Sequence, residues 1–502
     1  MLVLLTGFAA GILTVGGFAP FNVYPLSIIG LALLFRLWHS TRSTRTGFLT
    51  GLAFGLGFFG AGVSWIYVSL SVYGGMAGWL AGLATLLFCL VLALFPATVG
   101  TILAYLAQKG RRDAVRLLLV MPALWVLLEW MRGWIFTGFP WLAIGYAQVP
   151  DSPLAGFAPV LGVYGVSFMS ALLAGFLAWV LIHWPHKGTL IRYGLKPVLW
   201  GLCGLLLVIA VGQGLRTLTW TTPTGHATTV ALVQGNIAQE MKWQPEKVSD
   251  TLSLYARLAM EHPAQLIVLP ETALPLFESE LPAAYRTQLA LIGRQRDGDI
   301  LAGLPTGSLY GAYYNSVLSF GSAPSQAYHK VHLVPFGEFI PLKELWGWVI
   351  EVLHIPLSDF ARGSPTQVPL RVGGQQLAVN ICYEDAFGEE IIRQLPAASV
   401  LANVSNDAWF GDSFALWQHA QMSQMRALET GRMMLRSTNT GLTAIINIKG
   451  ELLAYLPPLS QGVLRGTVQG YAGSTPYVRF GNSPILLICG LALAIFATGR
   501  WN

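Results

Sequence analysis

A glutamate, a lysine and a cysteine each stand at the end of a strand-like run. Glu271 closes Ile267-Val268-Leu269-Pro270-Glu271, Lys330 follows Tyr328-His329, and Cys382 closes Leu377-Ala378-Val379-Asn380-Ile381. A cysteine nucleophile needs a base to take its proton, which is work for Glu271. The carbonyl under attack becomes an oxyanion, which Lys330 and the Tyr383 backbone N–H would stabilise. Catalytic groups in α/β sheets collect at the carboxyl ends of strands, so three such ends can bring three side chains to one point. The turn after Cys382 is acidic and then meets Gly388, as at a strand-to-helix elbow whose N–H groups favour thiolate. Spacing alone fits a buried core cysteine and two separate surface charges equally well.

The elements that would hold these ends lie in residues 218–481, one domain's length. Apolar runs at 230–234, 266–270, 300–303, 316–320, 377–381, 400–404 and 444–447 read as strands. Helical patterns at 247–260, 281–295 and 414–435 alternate with several of them. Strands apolar on both faces belong to sheets covered on both sides, so an α/β fold is expected. The rest of the chain is of another kind. Of 502 residues, 54% are hydrophobic and only 11% charged, where a soluble protein carries about 25% charged residues. Runs long enough to cross a bilayer are expected at 1–18, 24–38, 47–70, 76–107, 114–133, 161–183, 197–215 and 483–499. The first two, joined by Ala19-Pro20-Phe21-Asn22-Val23, are either two spans or one broken hairpin. Residues 1–17 lack a basic leader and further spans follow, so they read as a span and not as a signal peptide.

Loop charges give the orientation. Arg36, Arg42 and Arg45 end or follow the second run, Lys109, Arg111, Arg112 and Arg116 follow the fourth, and Lys187, Arg192 and Lys196 follow the sixth. Loops 19–23, 71–75 and 134–160 carry no Lys or Arg. Positive loops stay inside, so eight spans with both ends inside place the polar segment outside the cytoplasm. The domains expected are 1–217 with about seven spans, 218–481 as the catalytic part, and 482–502 as a last span. The net charge of +6 sits mostly at the ends of apolar runs, which argues against a nucleic-acid partner. Cys89, Cys203 and Cys489 lie in apolar runs and Cys382 in the polar part, so no disulfide framework is implied.

Pro270-Glu271, His329-Lys330-Val331-His332-Leu333-Val334-Pro335-Phe336-Gly337-Glu338 and Cys382-Tyr383-Glu384 resemble the three blocks of the nitrilase (carbon–nitrogen hydrolase) superfamily. That resemblance covers about half the chain. It implies an αββα sandwich and a triad with Glu271 as general base, Lys330 as oxyanion stabiliser and Cys382 as nucleophile. The whole chain, with its multi-span N-terminal half and last span, resembles the apolipoprotein N-acyltransferase family. The strings Gly138-Phe139-Pro140-Trp141, Gln234-Gly235-Asn236-Ile237, Lys242-Trp243, Ser405-Asn406-Asp407-Ala408-Trp409-Phe410-Gly411 and Arg436-Ser437-Thr438-Asn439 are similar as well. The fold expected is a multi-span α-helical membrane domain plus an α/β nitrilase-like αββα sandwich. The activity implied is transfer of an acyl chain from a membrane phospholipid to the α-amino group of an apolipoprotein's diacylglyceryl-cysteine, through a Cys382 thioester. The resemblance implies no cofactor and no metal. With the loop charges, it implies a bacterial inner membrane and a periplasmic catalytic domain.

Other residues carry weaker signals. The resemblance implies that Glu338 supports the lysine or the proton path; a surface ion pair is the plainer reading. Tyr383 and Glu384 fix the elbow or the acyl pocket, or are purely structural. Trp243 lines the site or fills the core. The apolar stretch 342–360, with Trp346 and Trp348, is expected to be a lid dipping into the outer leaflet, with a buried helix as the alternative. Trp141 and Phe139, in an external loop, are candidates for contact with lipid headgroups or are ordinary interfacial aromatics. His419 has no second ligand at metal spacing and is expected to be structural. Arg426, Glu429, Arg432 and Arg436 fall three or four apart and read as a salt-bridged helix face. Two rival functions stand beside acyl transfer. A membrane-tethered nitrilase-type amidohydrolase would use the same triad on water, but the many spans and the apolar stretch favour a lipid donor. A transporter would use intraspan charges, of which Glu129 and Arg132 are the main ones.

Overall fold

The computed structural model describes residues 1–108, 113–184, 195–308, 310–341 and 359–498. The chain divides into two compact units. One is Met1–Trp65, Gly82–Leu218 and Arg479–Asn502; the other is Ile66–Ala81 and Thr219–Val478. Ile66–Ala81, which the sequence reading keeps with the membrane part, groups with the second unit.

The first unit is helical. Among the described residues, Gly78–Ala107, Asp113–Arg132, Pro153–His183 and Lys196–Arg216 are long and apolar enough to cross a membrane. Leu2–Val15, Pro25–His39 and Ser483–Thr498 are apolar but shorter. The single run expected at 47–70 is two helices separated by a bend, Thr44–Gly62 in this unit and Ile66–Tyr73 in the second. Hydropathy continues across this bend although the helical hydrogen bonds do not, so composition cannot register it. Glu129 and Arg132 are buried. The Ile144 N–H donates to Glu129 Oε1 at 2.9 Å, and Arg132 Nη1 donates to the Trp141 carbonyl at 2.6 Å and to that of Phe139. The two charges pin this loop, which removes the main support for a transporter. Trp141 is drawn inward with the loop: 1% exposed, it lies 5.0 Å from Trp65 and stacks on Phe139. It packs inside the unit, and the expected contact with lipid headgroups is corrected accordingly.

The second unit is built on two six-stranded sheets. Among the described residues the strands are β1 Thr221–Gln234, β2 Leu266–Val268, β3 Asp299–Gly307, β4 Tyr313–Gly321, β5 Ala327–His329 and β6 Leu370–Val372. There follow β7 Gln375–Ile381, β8 Val400–Ser405, β9 Met434–Thr438, β10 Thr443–Ile446, β11 Leu452–Leu456 and β12 Gly462–Gly473. The sheet orders are β12-β1-β2-β3-β4-β5 and β11-β10-β9-β8-β7-β6. Val230, Leu232, Leu266 and Val268 meet Leu377, Val379, Ile381, Val400 and Val404 in one core between the sheets. The alternate residues Ala231, Val233 and Ile267 pack on Tyr255 and Ala259 of helix Pro245–Glu261 and on Leu289 of helix Ala283–Arg294. On the other sheet, Ala378, Leu401 and Met434 pack on Ala420 and Ala427 of helix Ala415–Thr430. Side chains alternate between the faces of a strand, and both faces here are covered. The unbroken apolar runs and the αββα layering are therefore one fact.

The helical pattern expected at 414–435 is a helix, Ala415–Thr430, followed by strand β9. Gly431 ends the helix at φ +63°, and a Cβ there would come within 2.7 Å of Thr221. The expected salt-bridged face is thus two elements. Arg426 and Glu429 pair at 3.1 Å on the helix, Arg432 lies in the connection and Arg436 on β9, and all four are buried.

Candidate active site

The ends of β2, β5, β7 and β8 carry the site. Glu271 lies just past β2, Lys330 directly past β5, Cys382 directly past β7 and Asn406 directly past β8. Lys330 Nζ lies 3.4 Å from Glu271 Oε1 and 2.9 Å from the Glu338 carboxylate. Asn315 of β4 donates from Nδ2 to Glu271 Oε1 at 2.7 Å and to Glu338 Oε1 at 2.8 Å. The Asn406 N–H donates to Glu271 Oε2 at 2.7 Å, and the Val334 N–H to Glu338 Oε2 at 2.9 Å. Lys242 Nζ donates to the Glu271 backbone carbonyl at 3.1 Å. The Glu271 backbone presses on β3 at Gly303, where a Cβ would lie 2.7 Å from Glu271 Cα and 2.5 Å from the Pro270 oxygen.

The charges follow from this packing. Burial alone would raise the Glu271 carboxyl, but the Lys330 and Lys242 ammoniums and the Asn315 and Asn406 donors outweigh it and hold it below its ordinary range. Burial alone would lower Lys330, but Glu338 and Glu271 outweigh it and hold the ammonium firmly protonated. Burial, and then the Glu271 charge, push the Cys382 thiol well above its ordinary range, with Lys330 opposing. The resting site therefore holds a carboxylate, an ammonium and a neutral thiol. The expectation of a turn that favours thiolate is corrected, because a second negative charge in a buried site beside a carboxylate is the costly species.

Cys382 sits in a left-handed conformation, φ +52°, a strain of about 1–3 kcal/mol that surrounding contacts must hold in place. Glu384 supplies many of them. Its Oε2 accepts the Ile381 N–H at 2.6 Å, and its Oε1 accepts the N–H groups of Val331 at 2.7 Å and His332 at 3.1 Å. The Tyr328 hydroxyl donates to both oxygens at 3.1 Å. Glu384 thus ties the elbow to the segment that follows Lys330. Tyr383 is buried, edge-on to His332 and Phe387.

Behind the elbow, the Cys382 carbonyl accepts from Asn403 Nδ2 at 3.2 Å and from His419 Nε2 at 3.1 Å. His419 Nδ1 lies 2.8 Å from Asp407 Oδ1. Arg436 reaches Asp407 Oδ2 at 2.8 Å and Asp385 Oδ2 at 3.1 Å. Burial alone would raise Asp407, but His419 and Arg436 outweigh it and hold the carboxyl low. Cys382, Asp407 and His419 each bring one ligand-type atom within 4.8 Å of the others. Both ring nitrogens of His419 are engaged, Nδ1 with Asp407 and Nε2 with the Cys382 carbonyl. The group is a hydrogen-bonded chain.

Trp243 is half-buried beside Lys242. Trp346, Trp348 and the stretch 342–358 lie outside the described residues. The chain returns next to the site, where the Phe360 N–H donates to the Glu338 carbonyl at 2.9 Å and the Phe360 ring lies 5.0 Å from Tyr313. Sequence reasoning missed Asn315, Asn406, Asp407 and Lys242 as site residues and saw His419 as isolated. The available signal was polar residues abutting apolar strands, as Asn406-Asp407 do after 400–404.

The chain matches two family descriptions: "Apolipoprotein N-acyltransferase N-terminal domain" over residues 10–176 and "Carbon-nitrogen hydrolase" over residues 229–477. It is 52% identical to an apolipoprotein N-acyltransferase of Nitrosomonas europaea, over 98% of this chain and 96% of that one. It is 44% identical to one of Chromobacterium violaceum, over 100% of this chain and 95% of that one. Among solved structures it is similar to an amidase from Nesterenkonia sp. at 19% identity and TM-score 0.36, covering 51% of this chain and 94% of that one. With relatives of this identity along nearly its whole length, the chain belongs to the apolipoprotein N-acyltransferase family.

Proposed function

We propose that the chain moves an acyl chain from a membrane phospholipid to the N-terminal amino group of an apolipoprotein's diacylglyceryl-cysteine, through a thioester on Cys382. The observation that carries this reading is the buried Lys330 ammonium between the Glu271 and Glu338 carboxylates, acting on a Cys382 that rests as neutral thiol. Glu271 takes the thiol proton as the sulfur attacks the ester carbonyl. Lys330 and the Tyr383 N–H stabilise the oxyanion. As the tetrahedral intermediate collapses, Glu271 returns the proton to the departing lysophospholipid oxygen. The acyl group stays on sulfur until the acceptor nitrogen displaces it. Cys382 is only 9% exposed, which supports transfer over hydrolysis because a thioester survives only where water is kept away.

The domains that suit this reading are residues 1–217 and 482–502 in the membrane and 218–481 outside it. The loop charges support a bacterial inner membrane with a periplasmic catalytic part. Glu338 keeps Lys330 oriented, and the half-buried Trp243 lines the site. The test is intact-mass spectrometry after incubation with phospholipid alone. Wild type should gain one acyl chain and lose it on addition of a diacylglyceryl peptide, while Cys382→Ala should gain none. A folded wild type that gains nothing while free fatty acid or ammonia accumulates would overturn the reading in favour of a hydrolase.

A further inference from the structure

We propose that Lys242 is the base that takes the first proton from the acceptor's ammonium, before that nitrogen attacks the Cys382 thioester. The proposal rests on the acyl-transfer reading and assigns one step within it.

The two half-reactions differ by one proton. In the first, the thiol proton passes through Glu271 to the lysophospholipid oxygen, and nothing is left over. In the second, the acceptor arrives as an ammonium, since an α-amino group has a pKa of about 8, and ends as an amide N–H. Two protons must leave its nitrogen. One passes through Glu271 to the sulfur and restores the thiol. The other has no destination within the triad. Glu271 carries one proton at a time, and Lys330 is held fully protonated by two carboxylates.

Lys242 differs from Lys330 in the way this task requires. Its side chain is buried in the same site, but its Nζ is held by one neutral acceptor, the Glu271 carbonyl at 3.1 Å. Among the described residues, no carboxylate lies within ion-pairing distance of it. The charged and titratable groups that face it are Glu271 from the loop after β2 and Cys382 from the elbow. Lys330 is paired with Glu271 at 3.4 Å and with Glu338 at 2.9 Å. An ammonium so placed has lost its hydration without gaining an ion pair. Burial lowers its pKa to about 7, with Glu271 and Cys382 opposing. Near pH 7 both forms of Lys242 are therefore present, and the neutral amine accepts a proton from the incoming ammonium. The nitrogen lone pair then forms the C–N bond as the C–S bond breaks, with the electron pair leaving on sulfur. Glu271 carries the remaining surplus proton from nitrogen to sulfur. Lys242 discharges its own proton to water once the product departs.

The experiment starts from acyl-enzyme made with phospholipid, with discharge followed by quenched intact-mass spectrometry. Lys242→Met loses the donor to the Glu271 carbonyl and should acylate more slowly, but its discharge to a diacylglyceryl peptide should slow far more, by about 10²-fold at pH 7. The deficit should shrink as pH rises past the acceptor's own pKa, because bulk water then removes the proton. Hydroxylamine, which is unprotonated at neutral pH, should discharge both enzymes at similar rates. Lys242→Arg, which keeps a cation that does not release its proton, should be as slow toward the peptide and keeps the test decisive if Lys242→Met does not fold. Equal peptide discharge by wild type and variants would overturn the proposal. So would a deficit that is the same for hydroxylamine and at every pH, which marks a structural role. A wild type that never acylates refutes the acyl-transfer reading itself.

Discussion

His419 donates from Nε2 to the carbonyl oxygen of Cys382 at 3.1 Å. This fixes the residue whose φ of +52° must be held against strain. Its own orientation is set by Asp407, and that of Asp407 by Arg436. His419→Ala removes the donor to Cys382 and leaves Asp407 with Arg436 alone. Single-turnover acylation should fall by about 10²-fold, the scale on which small misplacements of reacting groups act. His419→Gln, whose amide can still donate to that carbonyl, should recover much of the loss. If the alanine and glutamine variants are equally slow at similar melting temperature, the contact to Cys382 is not what matters.

Asn315 joins the two carboxylates that flank Lys330 through one amide group, at 2.7 Å and 2.8 Å. Asn315→Leu would leave both without that donor in a buried site, a penalty of about 1–3 kcal/mol. Asn315→Asp would place a third carboxylate around one ammonium, and one of the three must then take up a proton. That proton blocks the base whenever it resides on Glu271. Acylation by Asn315→Asp should therefore fall as pH drops from 8 to 6, while wild type stays flat. A flat profile for both would show that Asn315 does not set the charge of Glu271.

How much of this site was legible depended on whether each residue acts locally. Glu271, Lys330 and Cys382 abut strand ends, and a strand end is visible as the place where an apolar run stops. Asn315 and His419 contribute through partners far away in sequence, Glu271 and Cys382, and nothing near them announces that. Arg436 was misread for a related reason. Its spacing from Arg432 and Glu429 is helical, but Gly431 turns the chain and Arg436 belongs to a strand. The αββα layering was legible because covered faces force apolar residues onto both sides of a strand. The bend between Gly62 and Ile66 was not, because both of its arms are apolar.

On the proposed mechanism, with Glu271 as base, the charge states set the pH dependence of acylation. The Glu271 carboxyl lies below its ordinary range, so the base stays ionised as pH falls to about 4–5. The Cys382 thiol lies well above its ordinary range of about 8.5, so no thiolate accumulates near neutrality. Single-turnover acylation should then be nearly flat from about pH 5 to 8. Alkylation of Cys382 by iodoacetamide at pH 8 should be much slower than that of a free thiol. A tenfold rise in acylation per pH unit across this window would mean that the thiolate, and not the thiol with its base, is the attacking species. Stability has its own signs. The contribution of Glu271 is present above the ordinary carboxylate pKa and is lost as pH falls through its lowered value. That of Lys330 is present below the ordinary lysine pKa and is lost only at still higher pH.

Gly303 tests how closely Glu271 is placed. A Cβ there would meet backbone on the Glu271 loop, at 2.5 Å from the Pro270 oxygen, 2.6 Å from the Thr272 nitrogen and 2.7 Å from Glu271 Cα. Strand β3 cannot retreat, because it is paired with β2 on one side and β4 on the other. Gly303→Ala must therefore push Glu271 away from Lys330 and from the Asn406 N–H. Overpacking of this kind costs about 1–3 kcal/mol, a fall of a few degrees in melting temperature that would leave the protein folded. If Glu271 is the base as proposed, its displacement by a fraction of an ångström should cost far more in rate, about 10²-fold in single-turnover acylation. Melting temperature and acylation measured on the same preparation separate the two effects. If Gly303→Ala keeps near wild-type acylation, Glu271 is not placed by its seat on β3. A loss of acylation beyond the loss of stability would mean that this glycine serves the base.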